Sequence, residues 1–146
     1  MLSNTQNQAL YELQKELWGY AEPGFLEHRS AAAMSKFLRQ EGFTVTEGIC
    51  GMETAFVGVW GSGHPVICLL AEFDALYGLS QEADVSEYKP IEGVATGHGC
   101  GHHLLGTGSI AAAMMVKDYL EKNKLSGTIK MVGCPAEESG SGKAYL

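Results

Sequence analysis

No stretch of the 146-residue sequence approaches the ~20 consecutive apolar residues a membrane-spanning helix needs, so no membrane partner is expected. Basic side chains are scarce. Ten Lys and Arg stand against 17 Asp and Glu, and the formal charge of −7 argues against nucleic acid or an anionic membrane surface as a ligand. The opening residues MLSNTQNQAL lack the basic and apolar regions of a signal peptide, so a cytoplasmic location is expected. The four cysteines, Cys50, Cys68, Cys100 and Cys134, include no CxxC pair. Without export they are expected as reduced thiols, and thiol redox chemistry would want a resolving partner that the spacing does not supply. No repeat or low-complexity segment is visible. Gly140-Ser141-Gly142-Lys143 lacks the remaining glycine and the Ser/Thr of a phosphate loop, and Ser139 and Ser141 have no nucleophile-elbow context.

What is present suits one domain, 1–146, with 45% hydrophobic residues and length enough for a core. Ala9, Leu10, Leu13, Leu17 and Trp18 recur at helical spacing and predict a helix from about Gln6 to Tyr20, broken by Pro23-Gly24. A second helix is expected over about Glu27 to Gln40, stopped by Gly42. Strand-like runs follow at Thr44–Thr46, Ala55–Trp60 and Val66–Glu72, then a loop from Tyr77 to Gly101. A long Ala- and Met-rich helix is expected from about His102 to Lys122, and a last strand from Thr128 to Cys134. Cys68 and Cys134 lie in apolar runs and read as small buried hydrophobes. Two helices followed by strands with helical crossovers make a mixed α/β pattern. The chain stops just inside a turn after the last strand, which predicts the front part of a longer domain.

Three clusters carry chemistry, each where a loop follows a strand or precedes a helix. They are Ala71-Glu72-Phe73-Asp74-Ala75-Leu76, Gly97-His98-Gly99-Cys100-Gly101-His102-His103, and Pro135-Ala136-Glu137-Glu138. In the middle one, glycines let the backbone fold around a point, and Cys and His two apart can turn toward one ion at a helix N-terminus, where the dipole also favours a thiolate. Thiolate and imidazole are ligands that zinc and similar divalent metals prefer. Adjacent carboxylates can divide the roles of metal ligand and general base. Each feature alone has an ordinary alternative: histidines beside glycines cap helices, paired glutamates face solvent, and Asp74 can cap a turn. Gly106-Thr107-Gly108-Ser109-Ile110-Ala111 matches a dinucleotide fingerprint but falls inside the long helix, and reads as close helix packing.

Taken together, AEPGFLEHRSA at 21–31, TAFVGVWGSGHPVICLLAEFDAL at 54–76, GHGCGHHLLGTGSIAAA at 97–113 and GCPAEESGSGK at 133–143 resemble the aminoacylase and hippurate hydrolase family of dizinc peptidases and amidohydrolases, nearest its p-aminobenzoyl-glutamate hydrolase branch. The resemblance implies the N-terminal part of a three-layer α/β/α zinc-peptidase-like domain. It implies Cys100, His102 and Glu138 as metal ligands, Glu137 as general base, and Asp74 supporting the metal site from behind its ligands. It further implies two divalent ions, Zn or Mn, in a complete enzyme that is a homodimer. The substrate implied is an N-acyl amino acid, an aminobenzoyl-glutamate-like conjugate or a dipeptide, cleaved by metal-activated water. His103 takes the place where that family has Asn or Asp, beside a ligand, where a second imidazole can compete for the ion. Tyr77 replaces a usual Pro. The family draws two further histidine ligands, a lid and a dimerisation domain from later sequence. His28 and His64 lie in early surface-like segments and do not replace them. Weak or single-ion binding and little hydrolysis are therefore expected of this chain alone.

Overall fold

A computed structural model describes residues Met1–Leu146. The chain opens with α1 (Asn4–Tyr20), started by a reciprocal capping box between Ser3 and Gln6. Leu10, Leu13 and Leu17, at helical spacing, are its buried stripe. Helix α2 (His28–Gln40) buries Ala31, Met34, Phe37 and Leu38. Strands β1 (Thr44–Glu47), β2 (Phe56–Ser62) and β3 (Val66–Glu72) follow. A short pair, β4 (Leu76–Tyr77) and β5 (Thr96–Gly97), brackets the long loop. Helix α3 (His102–Asn123), strand β6 (Gly127–Cys134) and the one-turn α4 (Glu137–Gly140) complete the order. No helix is long and apolar enough to cross a membrane.

The main sheet runs β1-β2-β6-β3. Strand β2 is antiparallel to β1 and β6, while β3 and β6 are parallel and joined through α3. Along β6 the period of two puts Ile129 and Met131 inward and leaves Lys130 exposed. The inward residues merge with Phe56, Ala71 and Phe73 and with the buried stripes of α1, α2 and α3 into one core. Helix α3 lies close on the end of β3: a Cβ placed on Gly106 would stand 2.6 Å from the Glu72 carbonyl oxygen. Gly106 thus serves packing, as its position inside α3 suggests, whereas Gly108 has open space where a Cβ would stand.

Two expectations need correction. Cys68 is exposed, not buried, because β3 is an edge strand and only one sheet face carries helices. Cys68 and Leu70 point to the other face, where Leu70 is also exposed, so the chain itself displays two of the three expected layers. The long loop also contains a strand, β5, paired with β4. Cys134 is buried as expected, and all four thiols are free.

Candidate metal centre

The parallel pairing of β3 with β6 sets Glu72 opposite Cys134, so the turns leaving both strands emerge side by side. One turn carries Phe73-Asp74, the other Ala136-Glu137-Glu138. Helix α3 starts facing both, with Gly101 at its N-cap in the left-handed region (φ 79°) and His102 as its first residue. Asp74, Cys100, His102, Glu137 and Glu138, distant in sequence, are thereby gathered at one end of the sheet.

His102 is the hub. It is 2% exposed, and its Nδ1 lies 2.7 Å from Asp74 Oδ1. That contact leaves Nε2 free to act as a donor atom. Nε2 stands 3.8 Å from Glu138 Oε1, 3.7 Å from Glu137 Oε2 and 3.2 Å from Glu72 Oε2. Asp74 is itself buried, and its Oδ2 accepts the Glu138 N–H at 2.9 Å. One carboxylate therefore orients the imidazole and the glutamate together. Burial of Asp74 works to raise its carboxyl, but the bonds to His102 and the Glu138 N–H outweigh it and hold the carboxyl below the usual range. The same bond to Asp74 raises His102 against the opposing effect of burial.

Two overlapping donor groups result, Cys100/His102/Glu138 and Glu72/His102/Glu137, each with its donor atoms within 4.8 Å of one another. Both use the one Nε2 lone pair, so one ion at a time can be held through His102. Chemistry separates them. Glu72 already pairs with the Lys143 ammonium, whereas Cys100 adds the soft sulfur that borderline divalent metals favour. The first group also passes a structural test of fit: Glu138 Oε1 is buried with no hydrogen-bond partner. Its 3.8 Å from His102 Nε2 is near the roughly 3.4 Å between two donors each ~2.1 Å from a tetrahedral ion. Four carboxylates, Glu72, Asp74, Glu137 and Glu138, crowd the hub with Lys143 as the nearest fixed cation. That charge excess invites a divalent ion.

The expected thiolate needs correction for the metal-free protein. The neighbouring Glu138 carboxylate is the chief influence pushing the Cys100 thiol above its usual range despite the helix N-terminus; a coordinating cation would reverse this. His103 also departs from expectation. Its ring packs against Trp18 and His98, centroids 5.0 and 4.7 Å away, outside both donor groups. Burial, reinforced by the neighbouring histidines, lowers His103 to about 4. His28 and His64 are exposed and outside both groups. Glu72 and Lys143 were not singled out from sequence. The spacing of Glu72 and Asp74, two apart at a strand end and hence on one side, was the available signal for Glu72; Lys143 had none.

The sequence profile of Peptidase family M20/M25/M40 matches residues 68–146. Over 135 residues the chain is 43% identical to a subunit of the p-aminobenzoyl-glutamate hydrolase of Escherichia coli (strain K12), covering 92% of this chain and 28% of that protein. It is 30% identical over 138 residues to thermostable carboxypeptidase 1 of Saccharolobus solfataricus, covering 90% of this chain and 32% of the relative. The chain thus spans about a third of the length of the relatives it matches. Among solved structures, the fold superposes on the Bacillus subtilis YXEP protein, described as a dinuclear metal-binding peptidase. The TM-score is 0.74 at 20% identity, covering 92% of this chain and 36% of that one. It also superposes on an aminobenzoyl-glutamate utilization protein from Klebsiella pneumoniae, with a TM-score of 0.57 at 17% identity, covering 90% and 37%.

Proposed function

Because the chain belongs to Peptidase family M20/M25/M40, we propose that residues 1–146 are the metal-binding front part of a hydrolase that cleaves an amide bond. The substrate we infer is an N-acyl amino acid, an aminobenzoyl-glutamate-like conjugate or a dipeptide. The names of the relatives support this class, among them the E. coli hydrolase and an Xaa-Arg dipeptidase of Mus musculus. The observation that carries the reading is the convergence of Cys100, His102 and Glu138 around a buried, unpartnered carboxylate oxygen.

In this reading Cys100 Sγ, His102 Nε2 and Glu138 would hold a zinc or manganese ion, as this chain's share of the ligands. A divalent ion held there would supply Lewis acidity toward an amide carbonyl and toward water. Asp74 fixes the His102 tautomer so that Nε2 stays unprotonated toward the ion. Glu137, next to the donor set, takes the proton of the attacking water and delivers it to the departing amine nitrogen. Lys143, 3.9 Å from Glu137, restrains that carboxylate. The free thiols suit a reducing cytosol. The E. coli relative is named as one subunit of its enzyme, and the family resemblance implies a homodimer; both support assembly with a further chain.

The test is elemental analysis of the purified chain equilibrated with zinc or manganese, alongside hydrolysis assays on N-acyl amino acids, p-aminobenzoyl-glutamate and dipeptides. Wild type is expected to retain metal and Cys100→Ala to lose it. Retention by the variant would remove Cys100 from the ligand set and overturn the reading.

A further inference from the structure

Glu27 is an acid that sequence and metal chemistry leave unused. It occupies the N-cap position of α2 but makes no capping bond there. The amides it would be expected to cap, those of Arg29 and Ser30, donate instead to Glu22 at 3.0 and 2.8 Å. The Glu27 side chain turns inward and is fully buried, with no Lys, Arg or His paired to it. A carboxyl so placed is costly unless its oxygens are occupied. Both are. Oε2 accepts the Thr54 hydroxyl at 2.9 Å, and Oε1 accepts the Ala136 N–H at 2.7 Å, across 109 positions of sequence.

Ala136 is the pivot between β6 and the Glu137-Glu138 pair. It is buried and sits in the left-handed region, φ 54° and ψ 45°, a conformation unfavourable for an L residue that has to be enforced. Its carbonyl is tied forward, accepting from Gly140 and Gly142 at 3.1 and 3.2 Å, so Glu27 supplies the restraint on its amide side. The loop before Glu27 is moulded to the same turn. A Cβ on Gly24 would stand 3.0 Å from the Ala136 Cα, and the Phe25 ring closes over Gly140. One residue beyond Glu137, the Glu138 amide is fixed by Asp74. Two buried carboxylates thus hold consecutive parts of one turn, Asp74 from the metal side and Glu27 from behind.

We propose that Glu27 is a positioning residue: by holding the Ala136 amide it sets the directions in which Glu137 and Glu138 leave strand β6. This rests on the metal-centre reading above. It predicts that an isosteric acceptor at 27 suffices, whereas an apolar side chain of the same length lets the turn relax and misplaces Glu138.

The test titrates Co2+ into the full chain, wild type and Glu27→Gln, Glu27→Met and Thr54→Val, with far-UV circular dichroism and thermal unfolding in parallel. The thiolate-to-cobalt charge-transfer band reports Cys100, and the ligand-field bands report the geometry to which Glu138 contributes. Glu27→Met is expected to keep the charge-transfer band, change the ligand-field bands and bind about 10-fold or more weakly, as loss of outer support for a ligand does. Glu27→Gln is expected to restore the wild-type spectrum. Thr54→Val, which frees Oε2, is expected to weaken binding less than Glu27→Met, and it decides the matter if Glu27→Met does not fold. Wild-type affinity and spectrum in a folded Glu27→Met, or in Thr54→Val where only that variant folds, overturn the proposal while leaving the metal centre standing. A Glu27→Gln as impaired as Glu27→Met overturns it too. Absence of the charge-transfer band in wild type removes the metal centre and this role together.

Discussion

Asp74→Asn is the substitution that asks most of the site. The carboxylate accepts from two donors at once, the His102 Nδ1–H at 2.7 Å and the Glu138 amide at 2.9 Å. An Asn side chain has one acceptor oxygen for the two. Turned to keep the Glu138 bond, it presents its NH2 to His102, which moves the ring proton to Nε2 and blocks the donor nitrogen. Turned the other way, it sets NH2 against the Glu138 N–H and loosens that ligand. Either arrangement disturbs one of three donors. Loss of such outer support costs roughly 10–100-fold in metal affinity, equivalent to about 1.4–2.8 kcal/mol. The bond to Asp74 is also the main influence raising His102. In the metal-free variant the His102 titration, followed by NMR, should therefore move down. That downward shift weakens proton competition and by itself favours metal, so affinity is best compared near pH 8 by competition with a chromophoric chelator. Zinc affinity within about twofold of wild type, with His102 titrating unchanged, would refute the role given to Asp74.

Three further outcomes are expected. Glu137→Gln should leave zinc binding within about threefold while lowering kcat of the hydrolase by about 100-fold or more; loss of metal instead would make Glu137 a ligand rather than a base. His103, lowered to about 4 by burial, titrates below its unfolded value of ~6.5, so the unfolded chain binds more protons in that interval. Stability contributed by neutral His103 is thus full above about pH 6.5 and lost as pH falls toward 4. Urea midpoints across that range should show the slope in the metal-free protein and His103→Phe should flatten it, though not abolish it, because burial lowers His98 as well. Gly106→Ala would drive a methyl to 2.6 Å from the Glu72 carbonyl. It should cost about 1–3 kcal/mol in thermal unfolding, and a neutral effect would show that α3 can move off β3 without penalty.

The parts of this molecule that were legible in its sequence are those governed by local periodicity and donor chemistry. Leu10, Leu13 and Leu17 declare α1, and the ladder through Ile129 and Met131 declares β6. The gathering of Cys100 with His102 follows from two-residue spacing at a helix start. Exposure of Cys68 was hidden because an apolar strand reads alike whether it lies inside a sheet or, as β3 does, at its edge. The direction of His103 depends on Trp18 and His98 offering an aromatic pocket, a tertiary fact with no local trace. Glu27 was invisible for a related reason: its N-cap position suggests helix capping, and only the fold reveals that Glu22 has taken that task and that Ala136 lies within reach.

Anomalous diffraction at the zinc edge, from crystals of the chain grown with zinc, addresses the centre most directly. A single strong peak bonded to Cys100 Sγ, His102 Nε2 and a Glu138 oxygen is the predicted result. Zinc bound elsewhere, with the residue 100 sulfur and the residue 138 carboxylate on separate partners, would contradict it.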